Sequence, residues 1–169
     1  MVHSIELLLD VDTESVIRRG WKALSDAGLH SPPPTSRPHV TMIVADGISP
    51  DVDDRLSAVL HRLPVPCVIG APMVFGRLPF ILVRSVVPSM ELLQLQAEVN
   101  RICVTYLEPA AAPNTAVGQW TPHVTLARKV DASQLSRALT IRNTTRDIRG
   151  SVVGLRRWDG NKRVEHVIR

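Results

Sequence analysis

The chain has 169 residues, 21% charged and 44% hydrophobic, with 13 Pro, 9 Gly and a formal net charge of +4, which excludes a disordered or collagen-like chain and fits one ordinary domain. Its two cysteines, Cys67 and Cys103, form neither a disulfide framework nor a CxxC metal or redox motif, so both are expected as buried thiols in a reducing compartment. No apolar run reaches the ~20 residues of a membrane span, Glu6 and Asp10 interrupt the N-terminal apolar segment, and a cytoplasmic location without membrane contact is expected; the positive balance favours a phosphorylated or nucleic-acid partner.

Residues 4 to 10 predict a strand, and Ile17, Trp21 and Leu24 fall at helical spacing before Gly28 stops the helix. The Pro-rich lead-in from Ser31 to Ser36 cannot be helical and delivers the chain to a β-branched run from Pro38 to Ala45. A second helix is expected from Ser49 as N-cap, with Pro50 in its first position and Asp51, Asp53 and Asp54 favouring the positive end of its dipole. Its apolar face is Val52, Leu56, Val59, Leu60 and Leu63. Two neighbouring strands follow at about 65 to 75 and 78 to 87, separated near Gly76-Arg77.

Helical spacing returns at Leu92, Leu95, Val99, Ile102 and Tyr106, with Ser89 as N-cap and Tyr106 directed to the core. The small-residue stretch from Glu108 to Gly118 reads as a loop, either a linker or a lid. A strand at about 121 to 127 leads to Asp131 and Gln134, which are spaced as a capping box for a helix carrying Leu135, Ala138 and Leu139. Segments 147 to 156 and 162 to 168 predict a hairpin around Asp159-Gly160-Asn161.

The element order is strand, helix, strand, helix, strand, then the same order again with one extra strand. A direct internal match accompanies it: Arg37-Pro38-His39-Val40-Thr41-Met42 recurs as Thr121-Pro122-His123-Val124-Thr125-Leu126, 84 positions later. Two copies are too few for a solenoid. The expected fold is therefore α+β: a duplicated, bilobal domain over residues 1–169, with halves at about 1–76 and 77–169 related by a pseudo-two-fold. Antiparallel sheets line a central cleft and helices lie outside.

On a strand, a His and the Thr two residues later point to the same face. Two such pairs facing each other suit in-line displacement at phosphorus, which needs a base on the attacking oxygen, an acid on the leaving oxygen and donors on the remaining oxygens. One His-Val-Thr alone reads more readily as a structural histidine, but its recurrence at half the chain length is poorly explained by coincidence. Metal binding fits less well, because two His and two neutral Thr offer no third strong ligand. His3, His30, His61 and His166 have no matching partner and are expected to be structural or surface residues. Arg37, Arg128 and Lys129 flank the motifs and are candidate substrate contacts, as is Trp120 by stacking on a base; each also reads as an ordinary surface charge or as packing.

This paired motif resembles the signature of the 2H phosphoesterase superfamily, which includes 2′-5′ RNA ligase-like proteins and cyclic phosphodiesterases. The resemblance extends along nearly the whole chain. It implies a bilobal α+β fold and metal-independent chemistry on 2′,3′-cyclic or similar phosphates; the expected substrate is a cyclic phosphate or 2′-5′ linkage of an RNA end or small nucleotide, with no cofactor and no obligate protein partner, and the chain is expected to be a monomer. By matching position the resemblance makes His39 and His123 the acid and base and Thr41 and Thr125 the phosphate-holding hydroxyls. A phosphate- or RNA-binding module with little turnover is the alternative expectation.

Overall fold

The computed structural model describes residues 2–108 and 115–169. Most of the 108–118 stretch, including whatever would serve as a lid, lies outside the described residues. The elements run β1 (His3–Leu9), α1 (Val11–Asp26), β2 (His39–Ala45), α2 (Val52–Leu56), β3 (Val65–Phe75), β4 (Phe80–Val86), α3 (Met90–Cys103), β5 (His123–Val130), α4 (Ala132–Thr140), α5 (Arg142–Thr145), β6 (Ile148–Asp159) and β7 (Val164–Val167).

All seven strands join one antiparallel sheet in the order β2-β1-β6-β3-β4-β5, with β7 on β6. Exchanging β1 with β4, β2 with β5 and β3 with β6 reverses this order without changing it. The pseudo-two-fold therefore passes between β3 and β6, where Val65 to Ile69 pair with Val152 to Ile148. The match extends to local irregularity. In the first half Ile5 pairs with Ile43 and Glu6 with Thr41, which skips Met42; in the second Leu82 pairs with Ala127 and Val83 with Thr125, which skips Leu126. Each motif threonine is thus followed by a β-bulge, a device that bends a strand and re-aims its side chains.

Both long helices bury one stripe against the sheet: Ile17, Trp21 and Leu24 from α1, and Leu92, Leu95, Val99 and Cys103 from α3. These join Ile5, Leu7, Leu9, Leu82 and Val124 in the core. Tyr106 packs on its margin as expected. Cys67 and Cys103 are free and buried, and burial pushes their thiols up to about 11 and about 12. No helix among the described residues is long and apolar enough to cross a membrane.

Three local expectations are corrected. Only Val52–Leu56 of the second expected helix is α-helical, and Ser57–Arg62 continues as 3₁₀. Ser49 does not cap it, because its hydroxyl bonds the Asp51 amide within a turn started by Pro50. Asp53 is held by Arg157 of β6, at 2.8 and 2.7 Å, so that carboxylate serves a tertiary ion pair as well as the helix start. Leu139 faces solvent at 44% exposure, since a nine-residue helix buries only Ala138 fully.

Helix α1 is tied to the second half at its first turn. The Asp10 carboxylate accepts from the Thr13 amide at 2.9 Å and the Thr13 hydroxyl at 2.8 Å, and from the Ser151 amide of β6 at 2.6 Å. Gly150 permits this approach, because a Cβ there would lie 1.8 Å from the Thr13 hydroxyl. Burial raises the Asp10 pKa, but the N–H bonds from Thr13 and Ser151 outweigh it and the net shift is downward. A lowered carboxylate contributes stability above its unfolded pKa and loses it as pH falls through the folded value. Asp10→Ala is expected to cost about 1–2 kcal/mol near pH 7 by denaturant melting, with the gap to wild type closing as pH falls below about 4.

Candidate active site

The motif strands β2 and β5 stand at opposite ends of the strand order, yet they touch, so the sheet curls until its ends meet. Two indoles hold that closure. Trp21 of α1 donates Nε1–H to the Thr125 carbonyl at 2.9 Å, and Trp120, just before β5, donates to the Thr41 carbonyl at 2.9 Å. Each motif threonine is therefore gripped by a tryptophan from the other half. Of the two readings of Trp120, base stacking and packing, the structure agrees with packing: it is 9% exposed, belongs to the core, and spends its N–H on Thr41.

The two histidines are held alike. His39 Nδ1 lies 2.8 Å from the Arg37 carbonyl, and His123 Nδ1 lies 2.7 Å from the Thr121 carbonyl. A carbonyl can only accept, so the His123 ring carries its proton on Nδ1 and leaves Nε2 free to take or give one; at His39 the same Nδ1 also has the donor-only Arg156 Nη2 at 3.2 Å, so the carbonyl and the guanidinium compete for it. The repeat of this bond at residue i−2 in both motifs follows from their shared Pro-His-Val-Thr backbone. The hydroxyls of Thr41 and Thr125 have no protein partner among the described residues, which leaves both available to a ligand.

Their surroundings differ. His39 is a third exposed, with Glu6 Oε1 at 3.5 Å from Nε2 and Arg156 Nη2 at 3.2 Å from Nδ1. The His123 ring meets the edge of Phe75, with centroids 4.8 Å apart at 69°. Burial lowers the His123 pKa below the ordinary imidazole value; the bond to Thr121 opposes this, and the nearby positive charge of His39 and Arg128 adds to it.

Two adjoining cavities open on the motifs. One, of about 430 Å³, is lined by His39, Thr125, Trp21, His30, Arg128 and Lys129 among others. The second, of about 760 Å³, is lined by His39, Thr41, Glu6, Arg128, Arg156, Trp158, Arg163 and Glu165 among others. Both volumes fall in the range of small-ligand sites. His39 borders both cavities, whereas His123 is not on the wall of either. Arg37 also lines both, but its Nε is bound to Glu14 at 2.7 Å, so much of its charge is already answered. Arg128 and Lys129 are exposed and carry no ion pair among the described residues, so of the flanking cations these two are open to an anion. His30, which the sequence set aside, stands on the wall of the smaller cavity. His3 and His61 lie outside both cavities.

The sequence reading missed the buried ion pair beside His39. Glu6 and Arg156 are 4% and 5% exposed, and Arg156 bridges Glu6 at 2.6 Å and Glu165 at 2.7 Å. An acidic residue inside the apolar run of β1 was the available signal. Among the described residues no three His, Cys, Asp or Glu side chains gather as a metal site.

No curated protein matches the chain. Solved structures resemble it over nearly its whole length: TT0787 of Thermus thermophilus, at 16% identity and TM-score 0.61, covering 100% of this chain and 96% of that one; E. coli LigT complexed with 3′-AMP, at 15% and 0.58, covering 98% and 91%; and Kluyveromyces marxianus Usb1, at 14% and 0.54, covering 99% and 97%. At such identities the likeness is one of fold. The family model of the 2′-5′ RNA ligase superfamily matches residues 13–162, so the chain belongs to that superfamily, whose 2H phosphoesterase fold it shares.

Proposed function

We propose that the chain is a phosphoesterase that opens a 2′,3′-cyclic phosphate, or cleaves a 2′-5′ linkage, at an RNA end or in a small nucleotide, without a metal or cofactor. The observation that carries this reading is the pair of histidines with the same Nδ1-to-carbonyl contact, each beside a threonine hydroxyl that has no protein partner among the described residues. In the reaction one Nε2 takes the proton of the attacking water as its oxygen bonds to phosphorus. The other Nε2–H gives a proton to the ribose oxygen as the P–O bond to it breaks. The hydroxyls of Thr41 and Thr125 donate to the phosphoryl oxygens, where charge accumulates. Arg128 and Lys129 supply further positive potential, and the adjoining cavities accommodate the nucleoside. The nucleotide named in the LigT complex is in keeping with such a ligand. We read residues 1–169 as one domain of two similar halves that meet near residue 76, acting as a monomer in the cytoplasm.

The test is incubation with a panel of 2′,3′-cyclic nucleotides and cyclic-ended oligonucleotides in the presence of EDTA, with products identified by mass spectrometry. Turnover is expected to survive EDTA; loss that a divalent ion restores would overturn the metal-free reading. His39→Ala and His123→Ala are each expected to lower kcat roughly 10² to 10⁴-fold with the circular dichroism spectrum unchanged, and the double variant to be little worse than either. Binding of a panel member at wild-type affinity without turnover in any condition would instead make the protein a binding module.

Thr41→Ala and Thr125→Ala each remove one donor of several, so each is expected to cost less than a histidine, roughly 10 to 10²-fold in kcat/KM. A double threonine variant that turns over like wild type would refute the assigned role.

A further inference from the structure

The two halves match rung by rung beside the motifs. In the first half Thr41 pairs with Glu6 and Glu6 with Arg156; in the second Thr125 pairs with Val83 and Val83 with Met73. Two residues further along, Trp158 pairs with Ser4 and Phe75 with Ile81, so these two aromatic residues are counterparts. They are used differently. Phe75 meets the ring of its own motif histidine, His123, which lies on neither cavity wall. Trp158 makes no such ring contact among the described residues. It lines the larger cavity beside His39 and Thr41, with the Arg156 guanidinium 5.4 Å from its ring centroid.

Trp158 is also the one aromatic side chain committed neither to the core nor to a motif residue. The sequence holds three Trp, one Tyr and two Phe. The indoles of Trp21 and Trp120 bond the Thr125 and Thr41 carbonyls, Phe80 and Tyr106 pack on the core, and Phe75 meets His123. Trp158 is half-buried, lies outside the core cluster, and its Nε1–H meets no acceptor among the described residues. The charges on the same wall leave a further anion site open. Glu6 and Glu165 are both taken by Arg156, and Arg37 is bound to Glu14. Arg163, in the β6–β7 turn, is exposed and has no ion pair or hydrogen bond among the described residues. It stands in addition to Arg128, which serves the reacting phosphate. Among the described residues Lys129 and Arg163 are the two non-glycines with left-handed backbone, at φ 54° and 57°, and each is a cation on a cavity wall. Strained backbone of this kind gathers at ligand sites.

We infer that the larger cavity is the subsite of a second nucleotide, whose base stacks on Trp158 and whose linking phosphate meets Arg163, so that the preferred substrate is an oligonucleotide end rather than a mononucleotide. This rests on the two-histidine reading above. The smaller cavity, of about 430 Å³, takes the nucleoside that carries the reacting phosphate, and His39, common to both walls, lies at the junction. At about 760 Å³ the larger cavity has room for a further nucleotide. Every base presents a π-face to an indole, and a free guanidinium nearby holds the backbone, so the subsite selects for length rather than for base identity.

The experiment compares kcat/KM on 2′,3′-cyclic AMP with kcat/KM on a diadenylate ending in a 2′,3′-cyclic phosphate, for wild type, Trp158→Ala and Arg163→Gln. The reacting group is the same in both substrates, so their ratio isolates the second nucleotide. Wild type is expected to favour the dinucleotide about 10-fold or more, Trp158→Ala to bring the ratio within about 2-fold of unity, and Arg163→Gln to lower it about 3-fold. A merely structural defect lowers both rates and leaves the ratio in place. If Trp158→Ala does not fold, Arg163→Gln decides, since that side chain is exposed and holds no other residue. A wild-type ratio near unity, or a ratio that the deciding variant leaves in place, overturns the inference, while turnover of cyclic AMP leaves the function reading standing. Tryptophan fluorescence reads the stack without turnover. Trp21 and Trp120 are buried, so the dinucleotide is expected to quench wild type and not Trp158→Ala. Quenching without turnover of either substrate would sink the function reading and keep the nucleotide subsite; no quenching of wild type overturns the subsite whatever the turnover.

Discussion

The site depends on a pair of crossed hydrogen bonds. An open sheet of this order leaves its end strands far apart, and here those end strands carry the motifs. The indoles of Trp21 and Trp120, each bonded to the motif carbonyl of the opposite half, fix the ends against one another at the residues whose hydroxyls face the cavities. A buried carbonyl that lost such a donor would cost about 1–3 kcal/mol, enough to make the closed arrangement a strong preference. The constraint acts on backbone atoms, and the threonine and histidine side chains beside them remain free for a ligand.

Duplication supplies the rest of the geometry. Because each motif strand is bulged one residue after its threonine and each histidine has its Nδ1 on the carbonyl two residues back, the two copies present the same side chains from matching backbone positions. The pseudo-two-fold places the two motifs on strands that meet, with Thr125 on the wall of one cavity, Thr41 on the wall of the other and His39 on both. Both cavities draw their walls from the two halves. The central β3–β6 pairing and the ties from Asp10 to Ser151 and from Asp53 to Arg157 bind first-half elements to β6 of the second half, so the spacing of the motifs is set by the whole sheet.

Much of this was legible in the sequence, for physical reasons. The helices of residues 11–26 and 90–103 announce themselves by apolar spacing and by Asp10, Ser89 and the Asp131–Gln134 box, because these signals are local. The duplicated Pro-His-Val-Thr was legible because two short strings with the same neighbours occupy the same place in two similar halves. What escaped detection depends on contacts distant in sequence. Trp120 read as either a stacking or a packing residue since nothing local shows that Thr41, 79 residues earlier, takes its N–H. Arg37 read as a candidate substrate contact or an ordinary surface charge since nothing local shows that Glu14, 23 residues earlier, takes its Nε–H. The second helix was overread because Ser49-Pro50 followed by acidic residues satisfies the rules of a helix start while also making a plain turn.

Glu6 and Arg156 escaped for a different reason. In a seven-residue strand buried along its whole length, a single acidic residue reads as an interruption of a hydrophobic run, and only strand register shows that it lies beside a motif threonine and across from an arginine 150 residues later. Symmetry explains why that rung matters. A site built from two identical halves has no reason to favour one histidine as donor over the other, and an acid–base pair works only when its members hold different protonation states at the same pH. The fold must therefore depart from its own symmetry somewhere near the rings. Among the cross-strand neighbours of the two motif threonines, the charged rung on one side and the aliphatic rung on the other are such a departure.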